Sequence, residues 1–151
     1  MRKAVLLAAV ASASMLLGVS LSLAADGTAA EAKAMLEKAV TALKANEAAA
    51  LVSFNKADGG FRDRDLYVFC YNAGDGKFTA HPNATLMGTD VRALKEKDGS
   101  PLGEKIYDAN KEGTIITVAY KFPRPGTTEP VPKESFVTKV GNQGCGVGYY
   151  K

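Results

Sequence analysis

The sequence predicts one small mixed α/β domain behind an export signal, and three features of the 151 residues carry that reading. A basic start gives way to an uncharged apolar run, and apolar residues then recur at helical spacing. From Leu66 onward the chain changes to aromatic and β-branched runs broken by glycine turns. The resulting order is helix, two strands, short helix and three strands, an α+β arrangement.

Arg2 and Lys3 precede Ala4 to Leu23, an uncharged stretch rich in Ala, Leu, Val and Ser. This is a signal-peptide layout, in which the positive end stays in the cytoplasm and the apolar part enters the translocation machinery. Ser22-Leu23-Ala24 supplies small residues at −3 and −1, so cleavage is expected after Ala24 or Ala25. Residues 1–25 are then a leader, 26–151 form the domain, and the expected location is periplasmic or secreted. An uncleaved inner-membrane anchor is the alternative, since the run is long for a signal core and just long enough to cross a ~30 Å bilayer.

Losing the leader removes two of 19 basic residues and none of 16 acids, leaving a net charge near +1. A nearly neutral domain without a basic stripe excludes a phosphate-tracking surface, so nucleic acid is set aside. Within these residues no second apolar segment approaches membrane-spanning length.

Thr28-Ala29-Ala30-Glu31 has the form of a capping box, which starts a helix by satisfying two free backbone N–H groups reciprocally. Ala32, Met35, Leu36, Ala39, Val40 and Leu43 follow at helical spacing and make one buried stripe. Lys44-Ala45-Asn46 interrupts it, Ala48 to Phe54 supplies a second short helix, and Asp58-Gly59-Gly60 ends that. Leu66 to Tyr71 reads as a strand, and Gly74-Asp75-Gly76 turns it into Lys77 to Ala80. A loop leads to a short helix over Glu104 to Lys111, closed by Gly113. Thr114 to Phe122, Glu134 to Val140 and Cys145 to Tyr150 complete the strands.

Cys70 and Cys145 are the only cysteines. Export makes a disulfide natural, with two buried thiols as the alternative. There is no CxxC and no haem-attachment pattern. Catalysis finds little support either. His81 is the lone histidine, no Gly-x-Ser-x-Gly elbow or phosphate loop is present, and no metal cluster or cofactor is implied. Asp58, Asp63 and Asp65 read as a charged surface connection with Arg62 and Arg64 as partners.

Strand alternation puts Tyr67, Phe69 and Tyr71 on one face and Leu66, Val68 and Cys70 on the other. One face must meet the long helix. The aromatic face suits either ordinary core or the wall of a ligand pocket.

The segments Asp65-Leu66-Tyr67-Val68-Phe69, Asp75-Gly76, Ala80-His81-Pro82-Asn83, Leu86-Met87-Gly88-Thr89-Asp90 and Asp98-Gly99-Ser100-Pro101-Leu102 come in a familiar order. Tyr120-Lys121-Phe122-Pro123, Pro132 to Val137 and Gly146 to Tyr150 follow in the same sequence. Together they resemble a single Cache domain of type 2, an extracytoplasmic PAS-like sensor. The resemblance implies a long N-terminal helix packed on a five-stranded antiparallel sheet of order 2-1-5-4-3, binding a small organic acid or similar metabolite. It favours the pocket reading for Tyr67, Phe69 and Tyr71, puts His81 at the rim, and matches Lys133 to a lysine that meets a carboxylate. Tyr120 adds a hydroxyl donor. It also sets Cys70 and Cys145 at neighbouring strand ends, where a disulfide would be structural. Action through a membrane receptor partner is implied, and related domains associate through the N-terminal helix. A homodimeric partner-binding or structural protein is the alternative reading.

Overall fold

A computed structural model describes residues 25–151, so the proposed leader and its cleavage site lie outside the described residues. Helix α1 spans Ala29–Ala45 and begins with the expected box. The Thr28 hydroxyl accepts from the Glu31 N–H at 3.2 Å, and the Glu31 carboxylate accepts from the Thr28 N–H at 2.8 Å. Its buried stripe is Ala32, Met35, Leu36, Ala39 and Leu43. Asn46 makes the interruption by doing two jobs. Its N–H closes α1 on the Ala42 carbonyl, and its side chain accepts from the Ala49 N–H to cap α2, Glu47–Lys56.

The strands are β1 Arg62–Asp63, β2 Leu66–Asn72, β3 Phe78–Ala80, β4 Ile116–Pro123, β5 Pro130–Val140 and β6 Gln143–Tyr150. All pair antiparallel. Without β1, the order β3-β2-β6-β5-β4 is the expected 2-1-5-4-3. The difference is β1, a two-residue strand that pairs with Leu66 and Tyr67 at the start of β2.

The two faces of the sheet bury different material. Leu66, Val68, Cys70, Cys145 and Val147 pack beneath α1 and α2. Phe69, Tyr71, Phe78, Val118 and Val137 face the opposite way, under a cover formed by the chain between β3 and β4. Cys70 and Cys145 are register partners in β2 and β6, 4.1 Å apart at Cα, and are disulfide-bonded. Joining residues 75 apart is worth about 4 kcal/mol through the unfolded chain's lost entropy.

Three local expectations need correction. Helix α3 runs Leu102–Asp108, earlier than Glu104 to Lys111. It starts early because Gly103 lies against the turn at Val91–Ala93, where a Cβ would meet the Val91 carbonyl at 1.7 Å. Gly113 is not its cap; it takes φ +67° in a tight turn joining Lys111 to Thr114. Asp65, expected on the surface, is buried, and its carboxylate accepts from the Gly27 N–H at 2.6 Å. Arg64 does pair as expected, with Asp63 and also with Glu31 of α1.

Candidate functional site

The aromatic face of β2 becomes a chamber because the strand beside it carries almost no side chains there. In β6, Gly144, Gly146 and Gly148 alternate with Cys145, Val147 and Tyr149. Register sets Gly144 against Tyr71 and Gly146 against Phe69. A Cβ at Gly144 would meet the Tyr71 ring at 2.5 Å, and one at Gly146 the Phe69 ring at 2.5 Å. The rings thus lie across the bare strand. At Gly148 three groups converge: a Cβ there would be 2.6 Å from Lys133 Cε, 2.7 Å from Ser135 Oγ and 3.1 Å from Tyr120 Oη.

Tyr67, Phe69, Phe78, Tyr120 and Phe122 wall an inner cavity of about 30 Å³, with Leu86, Leu94, Leu102 and Ile106 over it and His81 at its edge. That volume admits two or three waters at ~10–15 Å³ each. Tyr67, His81, Leu86 and Phe122 also border a wider vestibule of about 360 Å³, whose wall includes Arg62, Arg64, Arg124 and Tyr150.

Four of the six candidate residues, Tyr67, Phe69, His81 and Tyr120, line the inner cavity. Tyr71 does not. It is fully buried beside the chamber, and its hydroxyl donates to the Ile106 carbonyl at 3.1 Å, so it anchors α3. Lys133 is also outside the cavity wall, yet it is in contact with it. Its side chain is in β5, 2% exposed, and its ammonium lies 4.8 Å from the Tyr67 ring centroid and 5.6 Å from that of Phe122. It makes long hydrogen bonds to Tyr67 Oη at 3.5 Å and Tyr150 Oη at 3.4 Å. Among the described residues no carboxylate forms an ion pair with it.

A buried cation held only by aromatic rings and weak hydroxyl contacts is costly to keep charged. Burial lowers the Lys133 pKa to about 8, with Asp65 opposing that shift. His81 is pushed down to about 4, mainly by burial and then by the Lys133 charge. Its Nδ1 accepts from the Asn83 N–H at 2.9 Å, so the neutral ring carries its proton on Nε2. Burial raises Tyr67 to about 12 and Tyr120 higher still, so both hydroxyls stay protonated. Tyr120 shares a hydrogen bond with Ser135 at 2.7 Å. The site therefore offers an ammonium, hydroxyls and an imidazole N–H in an apolar enclosure. This inventory suits an anion.

Phe122, Tyr150, Ser135, the three glycines and the vestibule arginines had no place in the sequence reading of the site. The Gly-x-Gly-x-Gly spacing was the available signal: glycine at every second position of a strand marks one face open to close approach.

Comparison with known proteins bears on the fold and the family. The chain is 30% identical over 76 residues to the methyl-accepting chemotaxis protein McpP of Pseudomonas putida, covering 50% of this chain and 14% of that receptor. Its fold is similar to a methyl-accepting chemotaxis protein from Vibrio parahaemolyticus, at TM-score 0.63 and 23% identity over 80% of this chain and 86% of that one. A periplasmic sensor domain of a chemotaxis protein aligns with TM-score 0.57 and 25% identity, over 78% and 86%. A Cache chemosensory domain solved for its recognition of carboxylic acid aligns with TM-score 0.57 and 23% identity, over 78% and 84%. The family model for single Cache domain 2 matches residues 3–150, and the chain belongs to that family of sensor domains.

Proposed function

We propose that this domain captures a small carboxylate outside the cytoplasm and acts through a partner rather than by catalysis. The observation that carries the reading is Lys133: a 2%-exposed ammonium without a carboxylate partner, against the rings of an otherwise apolar chamber. A ligand carboxylate supplies the missing charge. The Tyr67 hydroxyl and the His81 Nε2–H are the accompanying donors, and Phe69, Phe78 and Leu102 are the surroundings of the ligand's apolar end. The small inner volume favours short acids. The solved Cache domain described for carboxylic acid recognition supports the ligand class, and the chemotaxis receptors support a role in signalling.

Titration calorimetry with acetate, propionate and longer acids tests this, comparing wild type with Lys133→Met. Loss of a charge-assisted hydrogen bond should weaken binding by roughly 1.5–3 kcal/mol. Equal affinity in the two proteins would remove Lys133 from the site.

A further inference from the structure

Two of the three arginines that line the vestibule, Arg64 and Arg124, are already engaged, and each has a partner at the start of α1. Arg124 pairs with the Asp26 carboxylate, and its guanidinium lies 4.5 Å over the Tyr150 ring. Lys133 rests 4.4 Å from the centroid of that same ring. Arg64 binds Glu31 at 2.7 Å and reaches the Asp26 carbonyl at 3.4 Å. Glu31 is the acid of the capping box that opens α1. Asp65 completes the set: one carboxylate oxygen holds the Gly27 N–H, and the other is buried without a partner.

Around the mouth, Arg64 and Arg124 are thus paired with acids, whereas Arg62 and Lys133 form no ion pair among the described residues. Arg124 shares the Tyr150 ring with Lys133, so a carboxylate that bridges these two cations must take Arg124 from the acid that already holds it. Arg64 is held by two acids, whereas Arg124 is held by one, and both members of the Arg124–Asp26 pair are partly exposed. Arg124 is therefore the easier cation to win. It also lines the vestibule and contacts the same Tyr150 ring as Lys133, which puts it on the way in.

We propose that a carboxylate entering the site displaces Asp26 from Arg124, so that occupancy loosens the segment Asp26–Glu31 and couples the pocket to the first turn of α1. This rests on the carboxylate reading above. Coupling is reciprocal, so a change that frees Arg124 from Asp26 must raise anion affinity by the factor with which the anion weakens the tie.

The test uses protein expressed from the full chain, acetate and propionate as probes, and amide hydrogen exchange at Glu31 and Ala32, whose N–H groups are bonded to Thr28. In wild type, either acid should speed exchange at these amides. Arg124→Gln should speed it without any acid and bind the acids more weakly. Asp26→Asn should bind them about two- to fivefold more tightly, the size of an exposed ion pair. Binding to wild type with unchanged exchange overturns the coupling and leaves the carboxylate reading intact, as does Asp26→Asn binding no more tightly. Unchanged exchange in empty Arg124→Gln also overturns the coupling. Failure of wild type to bind either acid overturns both.

Discussion

Replacing Lys133 with methionine should make the empty domain more stable while weakening its affinity for acids. The substitution exchanges a 2%-exposed ammonium for an unbranched apolar chain of similar length, among the rings of Tyr67, Phe122 and Tyr150. The cost of the charge follows from its proton affinity. A lysine pKa of 10.5 lowered to about 8, at ~1.36 kcal/mol per tenfold change, is worth about 3 kcal/mol. Because the folded value lies below the unfolded one, the folded state binds fewer protons between about pH 8 and 10.5. The penalty is fully present below pH 8, and wild-type stability rises as pH climbs through that window. Thermal or urea unfolding of both proteins at pH 7 and pH 10.5 is the assay. At pH 7 the variant should melt roughly 5–15 °C higher, and the gap should close by pH 10.5. A variant less stable than wild type at pH 7, or a gap that does not move with pH, would show that Lys133 is not held as an uncompensated buried cation.

The same titration should appear in binding: acetate affinity should fall as pH rises above about 8 and Lys133 loses its charge, which calorimetry at pH 7 and 9 would show, and a flat profile would argue against it. The Cys70–Cys145 disulfide should leave no thiol for maleimide in denaturant without reductant, and reduction should cost about 4 kcal/mol of stability; two reacting thiols in the exported protein would contradict the pairing. Tyr71→Phe should cost about 1 kcal/mol through the lost bond to the Ile106 carbonyl and leave acid affinity unchanged, whereas a matching loss of affinity would return Tyr71 to the ligand's surroundings.

What could be read in the sequence was set by local chemistry. The capping box at Thr28 and Glu31, the stripe along α1 and the alternation of β2 each depend on residues a few positions apart, and each formed as expected except that Val40 of the stripe is only half-buried. The site was only half legible for the same reason. Tyr67, Phe69 and Tyr71 share a strand face, but which of them reach the cavity depends on where α3 lies, and Tyr71 is taken up in holding it. Asp65 sits between Arg64 and Leu66 in a charged run, and nothing nearby in sequence shows that Gly27 will come to cover it. Tyr150 and Arg124 join the mouth through β6 and the end of β4, more than fifty residues from Tyr67. Such contacts are products of packing, and no local pattern encodes them.

The bare face of β6 bears on how such a pocket can change. At Gly146 an added methyl would meet the Phe136 carbonyl at 2.9 Å as well as the Phe69 ring, and at Gly144 it would meet a Tyr71 ring fixed by its own hydrogen bond. Those two glycines are locked to the fold. Gly148 differs, because its nearest neighbours are neither backbone nor a ring face but the Lys133 stem and two hydroxyls. Of the three, it is the one place where a single methyl could be accommodated by a shift of the ammonium. Related chains could acquire new ligand preferences there while keeping every strand in register, so the depth of the pocket can evolve separately from the scaffold that holds it.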